Sequence, residues 1–536
     1  MKTRLGKLFW EIAAVLVIIG VIGAVFLSRS DNAVQKAAQK AVEATRLALR
    51  QQGFKTDLAD FDFSTSAELR AREAILTATS PNRRSEPFHD YPNLMAAIGT
   101  NLAIVVWKQN SLKKQYRSWP DDSNELTWEE FRKAINTNQP QIDAACVAIL
   151  SGPIRFNLDA RGGNGILLPH LSMLKNLTQT LGSRTVLDIH DGNKDAAWTN
   201  LLASTRLITA WEPEPIEISH LVRFADANLV FNATWQALQM NGWSDEQLAR
   251  LQQEWESVDF LKNLPETAAF KCASDVAMCQ WERKEQRGRQ EPLESGPTFS
   301  DFLKEALRSP PSIWSELNYR WNRTNYRKHG SWDDEKALLL FYRDRELELR
   351  NAVKAPTWAQ MRQLPGVMNV ILFQFKNHSP MQVRLNLQAM SRRFQMEGSS
   401  LLGRAAEAEA RRRILITAIA LERYRRKYGS YPKTLTDLAP ELLKTPLVDF
   451  MDGQPLRYRL TDDGHFILYS VGRDCVDDGG KMPSRERQRL PDFRSGSSGA
   501  PPKGDIVWPR PASAEEVTTQ QKQELKAQEE RTMQNE

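Results

Sequence analysis

A chain of 536 residues is too long for one ordinary hydrophobic core, so its length predicts two or three domains. Hydrophobic residues make up 41% of the chain and 15 residues are tryptophan, a composition that excludes wholesale disorder. The net charge of +6 is the small difference between 72 basic and 66 acidic side chains. Such a mixed surface lacks the concentrated positive charge of a nucleic-acid-binding protein.

The first predicted element is an apolar helix near the N-terminus. Residues 8–28 contain the run IAAVLVIIGVIGAVFL, and the segment is long enough to cross a hydrocarbon core of roughly 30 Å. Basic residues in segment 1–7 predict that this end stays in the cytoplasm. The run is long for a cleavable signal peptide, and no small-x-small cleavage site follows before Arg29. We therefore predict a single-pass signal-anchor protein of the bacterial inner membrane with its C-terminal body in the periplasm.

A helical stalk is predicted over residues 29–53. Its Ala-rich stretch NAVQKAAQKAVEATRLALRQQ has amphipathic helical spacing, and Gly53 is a typical helix stop. Residues 54–400 are predicted to form a mainly α-helical extracytoplasmic domain. The first part of this domain mixes aromatic residues with Pro and Asn clusters, which predicts irregular structure with short helices around 93–107 and 127–136.

A helical hairpin is predicted from Leu167 onward. Two segments with apolar helical periodicity meet at the tripeptide 191–193, Asp-Gly-Asn, which supplies the left-handed conformations of a tight turn. A third helix is predicted over 215–240. A fourth begins at Ser244, where Gln247 completes a capping box. The pattern is typical of a tetratricopeptide-type hairpin, but without a strict 34-residue repeat an irregular helical bundle is an equal alternative.

The rest of the predicted domain alternates polar and helical stretches. Residues 280–298 are polar with Gly and Pro, and we expect an exposed loop there. Further helices are predicted near 300–308, 332–353 and 379–395 from their apolar spacing.

The C-terminal region changes from helix to strand signals. A strong helix is predicted over 404–429, where basic residues near its C-terminal end favour the helix dipole and a glycine ends it. The β-signals follow in LRYRL (456–460) and HFILYSVG (465–472), which the turn 462–464 joins as a hairpin. The polar composition after Pro509 predicts a disordered tail over 511–536.

The order of these turn motifs resembles the globular domain of the major pseudopilins of type II secretion. The matching residues are YGSYP (428–432), Asp449, DGQP (452–455) and YSVGRD (469–474). Phe450 and Cys475 depart from the usual proline and glycine of the family. The resemblance implies a small α+β pseudopilin-like domain over 401–510. Similar C-termini occur in uncharacterised membrane-anchored proteins of planctomycete- and verrucomicrobia-type bacteria.

The N-terminus also resembles the leader of type IV pilins and pseudopilins. Gly6 stands where the leader ends, and Glu11 stands at the fifth position of the mature helix. The resemblance implies cleavage after Gly6 and a role of Glu11 in subunit assembly. Lys7, however, occupies a position that is apolar in the family. The alternative is an ordinary anchor whose Glu11 reaches the cytoplasmic interface.

The resemblance further implies a calcium site in the loop that follows the hairpin. Its predicted ligands are Asp474, Asp477, Asp478 and Asp505, because Ca²⁺ prefers carboxylate and backbone oxygens. The alternative is an acidic turn in which the aspartates cap backbone amides without a metal.

Two of the four cysteines are close in sequence. Cys272 and Cys279 lie in KCASDVAMCQ, which is compatible with a small disulfide loop or with two reduced, partly buried thiols. The pair lacks the spacing of a zinc site.

No catalytic motif stands out in the chain. The seven histidines are scattered, and neither a His-Glu-x-x-His motif nor a nucleophile elbow is present. We therefore predict a non-enzymatic, membrane-anchored scaffold or protein-interaction protein with partners in the cell envelope. The alternatives are a pseudopilin subunit of a secretion or pilus-like machine, and an envelope enzyme or ligand-binding protein.

Overall fold

The structure is a computed structural model, and it is mostly helical. The residues that it describes are 32–79, 91–98, 101–113, 125–284, 326–368, 400–482, 504–520 and 522–523. In chain order the described α-helices before residue 504 are α1 (32–51), α2 (Ala67–Thr77), α3 (Trp128–Ile135), α4 (Gln139–Ser151), α5 (Pro169–His190), α6 (Lys194–Thr209), α7 (Glu217–Leu238), α8 (Asp245–Glu256), α9 (Leu264–Lys284), α10 (Ser331–Ala352), α11 (Trp358–Met361) and α12 (Ser400–Tyr428).

The predicted hairpin and the two helices after it are present. Helices α5 and α6 are joined by a turn in which Gly192 has a φ of +80°, as the Asp-Gly-Asn signal predicts. Helix α7 packs against both. At the start of α8 the Gln247 amide donates to Ser244 Oγ over 3.0 Å, while Gln247 Oε1 accepts from the Ser244 amide over 2.8 Å. The local turn and capping signals therefore predicted these helices to within a few residues.

The described strands form three small sheets. They are β1 (Ala97–Ile98), β2 (Leu102–Ala103), β3 (Leu112–Lys113), β4 (Glu125–Leu126), β5 (Arg457–Leu460), β6 (Phe466–Ser470), β7 (Ile506–Trp508) and β8 (Arg510–Pro511). The largest pairing is the predicted hairpin, in which β5 and β6 run antiparallel with Leu460 opposite Phe466. Strand β7 then pairs antiparallel with β6, so the sheet order is β5-β6-β7.

Helix α12 lies between this sheet and the helical body. It contacts β6 and β7 as well as α7 and α8. Its central segment 414–421, ILITAIAL, is buried along its whole length. Across the same interface Trp235 Nε1 donates to the Pro509 carbonyl over 2.9 Å, and the rings of Phe231 and Trp508 meet edge to face at 5.2 Å. One hydrophobic cluster thus includes side chains of α1, α7 to α10, α12 and the sheet.

The prediction of a transmembrane helix must be corrected. No helix in the described part of the chain is both long and apolar enough to cross a membrane. The longest of them, α12, has 29 residues but carries charged side chains in both halves. This finding also contradicts three predictions that depended on such a helix. They are the single-span membrane partner, the signal-anchor, and the placement in the inner membrane with a periplasmic body. Segment 8–28, with Glu11, and the proposed cleavage site at Gly6 lie outside the described residues.

Some helices were predicted in the wrong place. Residues around 93–107 contain β1, β2 and the start of a 3-10 turn, whereas 127–136 and 332–353 are the predicted helices α3 and α10. Helix α9 continues to Lys284, into the stretch that we expected to be a loop. The helices predicted near 300–308 and 379–395 lie outside the described residues.

The first part of the predicted disordered tail is ordered. Strand β8 pairs in parallel with β2, and residues 514–520 form a helix. Ser513 Oγ accepts from the Glu516 amide while Glu516 accepts from the Ser513 amide, which is a capping box. Val517 is buried against Ile98 and Ile104. The Ser-x-x-Glu signal was available in the sequence and was missed because the surrounding composition is polar.

Candidate functional site

A pocket with a volume of about 200 Å³ lies at the C-terminal end of α12. The end of α12 forms one wall of the pocket, and the loop between α7 and α8, with sequence Met-Asn-Gly-Trp-Ser, forms the other. Helix α12 ends here because Gly429 adopts a φ of +81°, and the loop turns at Gly242, whose φ is +120°. The capping box of α8 then fixes the other end of the loop. Helix-ending signals on two distant segments therefore form the site together.

The floor of the pocket is apolar. Leu238, Trp243 and Leu248 line it, and each is less than 5% exposed. Trp243 Nε1 donates to the Ala237 carbonyl over 2.9 Å, so its indole is held in place without an unpaired donor. The floor is thus preformed and can receive an apolar group.

The rim of the pocket is basic, and most of its charge is neutralised. Four basic side chains occupy the last two turns of α12. Three of them pair with carboxylates, Arg423 with Asp245, Arg425 with Glu422 and Lys427 with Glu441. Arg426 lines the pocket and is exposed, and its side chain makes no hydrogen bond or ion pair within the part of the chain that the structure describes. One positive charge at the mouth is therefore available to a partner.

A second cation lies beside the pocket. A Cβ built on Gly242 would be 2.8 Å from Lys194 Nζ, so the ammonium group of this exposed residue lies against the loop that lines the pocket. Among the described residues the Lys194 side chain has no hydrogen bond or ion pair either. A larger residue at position 242 would displace this ammonium group.

Glu422 lies inside the pocket wall but its charge is compensated. Arg425 donates to Glu422 Oε2 from Nη2 over 2.8 Å, and the Tyr431 hydroxyl donates to Oε1. Burial raises the pKa of Glu422, and these two donors oppose that rise. The guanidinium of Arg425 also lies 5.3 Å from the centre of the Tyr431 ring. Arg425 is therefore a structural residue of the wall, unlike Arg426.

Three of the four aspartates of the predicted calcium site, Asp474, Asp477 and Asp505, accept hydrogen bonds from backbone amides, and the Asp478 amide is one of the donors. Asp505 accepts hydrogen bonds from the amides of Asp478, Gly480 and Lys481, the shortest 2.7 Å long. Burial raises its pKa to about 6, although these amides lower it. Asp477 accepts from the Tyr469 hydroxyl and from the Gly479 amide, and Asp474 accepts from the Val476 amide.

A metal cluster is not found around these aspartates. Within the described ranges no group of three or more His, Cys, Asp or Glu residues is placed to hold a metal ion. The arrangement matches the turn-cap alternative, and calcium binding stays a prediction.

The cysteine pair is reduced and buried. Cys272 and Cys279 are both free and lie on α9. Seven residues along a helix span roughly 10 Å, which exceeds the roughly 7 Å limit between the Cα atoms of a disulfide. Burial raises the pKa of both thiols. The pair is therefore part of the hydrophobic core and not a reactive site.

The buried polar network around Asp275 is a further cluster that sequence reasoning missed. Asp275 accepts from Asn164 over 2.8 Å, from Lys271 over 2.6 Å and from the Tyr342 hydroxyl over 2.7 Å. Asn164 belongs to the glycine-rich stretch RGGNG, where Gly163 allows close packing against Ser274 of α9. The cluster joins a loop to two helices, and its satisfied hydrogen bonds give it a structural role.

The sequence assigns the basic residues before Gly429 only a role in favouring the helix dipole. It does not indicate the pocket, because the second wall of the pocket lies about 180 residues earlier in the chain. Comparisons with protein-family models, with curated proteins and with solved structures found no match for this chain.

Proposed function

We propose that this protein is a non-enzymatic scaffold that binds another protein at the pocket at the end of α12. The observation that carries this proposal is the size and lining of the pocket. A volume of about 200 Å³ is smaller than the roughly 300–1,000 Å³ of pockets that hold cofactors and other small ligands. It suits a single side chain of a protein partner, because interface hot spots are anchors that fill small desolvated pockets.

The composition of the site agrees with that of protein interfaces. An apolar floor of Leu238, Trp243 and Leu248 is surrounded by polar groups such as Asn241 and Arg426. Protein interfaces combine a buried apolar centre with a polar rim. The floor and rim belong to elements that share one core, so the site is held on a rigid support.

The pseudopilin-like design of the C-terminal unit is part of this proposal. A long helix, a YGSYP turn and an antiparallel sheet occur in the predicted order. The motif positions have structural roles, since Asp449 and Gly453 form the turn before β5, where the Gly453 amide donates to the Asp449 carbonyl over 2.8 Å. These residues support a fold of that type and carry no chemistry of their own.

The alternative of a filament subunit depends on cleavage after Gly6 and on assembly through Glu11. Both residues lie outside the described part of the chain. The scaffold proposal depends only on the pocket at the end of α12, which lies within it.

The proposal is tested by partner capture on the immobilised full chain, using extracts of the cells that produce it. We expect a specific partner that binds the wild type and is retained at least tenfold less by Arg426→Glu. Arg459→Glu is the matched control, because the Arg459 side chain is also exposed and makes no hydrogen bond or ion pair among the described residues. Equal retention of every bound protein by the wild type and both variants would refute the site.

A further inference from the structure

We infer that the partner segment is acidic and carries an apolar anchor residue that enters the pocket. This inference rests on the proposed function and names the chemistry of the partner. It starts from the charge of the rim, where three carboxylates neutralise three of the four basic residues at the end of α12. The excess charge at the mouth of the pocket is therefore positive and belongs to Arg426.

Lys194 supplies a second positive charge beside the pocket, on a different helix from Arg426. Its ammonium group lies against Gly242, and Gly242 and Arg426 both line the pocket. A segment that crosses the mouth between α6 and α12 therefore meets a cation from each helix. Both cations are exposed and have no ion pair within the described chain. Arg426 only helps to lower the pKa of Asp245, which pairs with Arg423, so a partner carboxylate gains an interaction without breaking an ion pair.

The apolar floor of the pocket determines which type of side chain the partner places between its carboxylates. Leu238, Trp243 and Leu248 offer apolar surface, and Met240 adds a flexible side chain at the edge. The carboxylate of Glu422 is held by Arg425 and Tyr431, so it does not present a free charge that would repel an acidic segment. An unbranched or γ-branched apolar side chain such as leucine suits this combination of floor and volume.

The site therefore selects against two other classes of ligand. A basic segment would bring like charges next to Arg426 and Lys194, which is unfavourable at an interface. A fully polar acidic segment would leave the apolar floor in contact with water and would lose the contribution of the hydrophobic anchor.

The test uses fluorescein-labelled nonapeptides and the purified full chain, with binding measured by fluorescence anisotropy. The first probe has a central leucine flanked by four glutamates on each side. The second replaces the leucine by glycine, and the third replaces every glutamate by lysine. We expect saturable binding of the first probe at low salt, with at least tenfold weaker binding of the other two probes. Binding of the two acidic probes should weaken further at high salt, because salt screens their attraction to the cations.

Binding measurements on variants of the protein test whether the first probe binds at this pocket. Arg426→Glu and Lys194→Glu should each weaken binding of the first probe about tenfold, whereas Arg459→Glu should leave it within about twofold. Both test positions are exposed, so these variants are expected to fold, and circular dichroism checks that they do. Equal binding of the lysine probe, or unchanged binding by Arg426→Glu, would overturn the inference.

The outcome also separates this inference from the proposed function. If the captured partner is lost by Arg426→Glu but no acidic probe binds, the acidic chemistry is wrong and the interaction site stands. If the acidic probe does not bind and the captured proteins are insensitive to Arg426→Glu, both are wrong.

Discussion

Replacing Asp449 by alanine is expected to destabilise the fold by about 4 kcal/mol. The side chain of Asp449 is fully buried before β5. Its two oxygens accept from the amides of Met451 and Val471 over 2.9 and 3.0 Å and from the Ser470 hydroxyl over 2.7 Å. The guanidinium of Arg457 lies 3.0 Å away. One carboxylate thus joins the turn before β5 to the end of β6.

The magnitude follows from the donors that alanine would leave behind. Met451, Ser470 and Val471 are at most 1% exposed, and each buried donor without an acceptor costs roughly 1–3 kcal/mol. The Ser470 hydroxyl can rotate toward another acceptor, so we expect a total of about 4 kcal/mol and not the full sum. Arg457 adds little, because it also pairs with Asp452. Asn at position 449 keeps one acceptor oxygen, and we expect it to cost about half as much.

The assay is urea denaturation followed by far-ultraviolet circular dichroism. Asp462→Ala is the matched control, because Asp462 lies in the same hairpin region but is exposed and makes no side-chain hydrogen bond within the described residues. We expect the control to stay within about 0.5 kcal/mol of the wild type. A loss below about 1 kcal/mol for Asp449→Ala would refute the argument that this carboxylate holds the turn and the sheet together.

Two further predictions concern a buried acid and a strained turn. Burial raises the pKa of Asp226 well above its ordinary value of 3.8, so the folded state retains a proton that the unfolded state loses as the pH rises. Stability should therefore fall as the pH rises above about 4. Asp226→Asn should flatten this fall in thermal unfolding scans between pH 4 and 8. Parallel curves of melting temperature against pH for the wild type and the variant would contradict the prediction. Gly472 has a φ of +68°, and a Cβ there would lie 2.4 Å from the Gly504 carbonyl oxygen, so Gly472→Ala should cost about 2 kcal/mol or more in urea denaturation. Gly429→Ala is the control, because Gly429 has a φ of +81° but a Cβ there would have no atom within 4 Å. It should cost only about 1 kcal/mol. Equal losses of stability in the two variants would show that the close contact with the Gly504 carbonyl is unimportant.

Local signals predicted several turns and helix ends correctly. The Asp-Gly-Asn turn after α5, the capping box at Ser244 and the glycine stop at 429 each act over a few residues. The hairpin of β5 and β6 followed from alternating apolar residues around a glycine turn, and its register in the structure has Tyr458 opposite Leu468. Such features are written into neighbouring residues, so one sequence is enough to find them.

Contacts between distant segments were not predicted. The hydrogen bond from Trp235 to the Pro509 carbonyl joins residues 274 positions apart, and nothing in the local periodicity of either segment indicates it. One signal was nevertheless available for the position of α12. Its segment ILITAIAL (414–421) is apolar on all sides, and a helix of that kind is buried on all sides. The resemblance predicts this helix as part of a separate domain over 401–510, whereas α7 and α8 cover the side of the helix that the sheet does not.

The basic end of α12 shows how one feature supports two explanations that an experiment can separate. Cations near the C-terminal end of a helix stabilise its dipole by about 0.3–1 kcal/mol, and Arg423, Arg425 and Lys427 already do so while paired with carboxylates. If Arg426 served only the dipole, its replacement would change stability slightly and leave the captured partner unaffected. Because Arg426 lines a pocket with an apolar floor and makes no ion pair within the described chain, we expect the opposite result. Loss of the partner with unchanged stability would therefore assign this arginine to recognition.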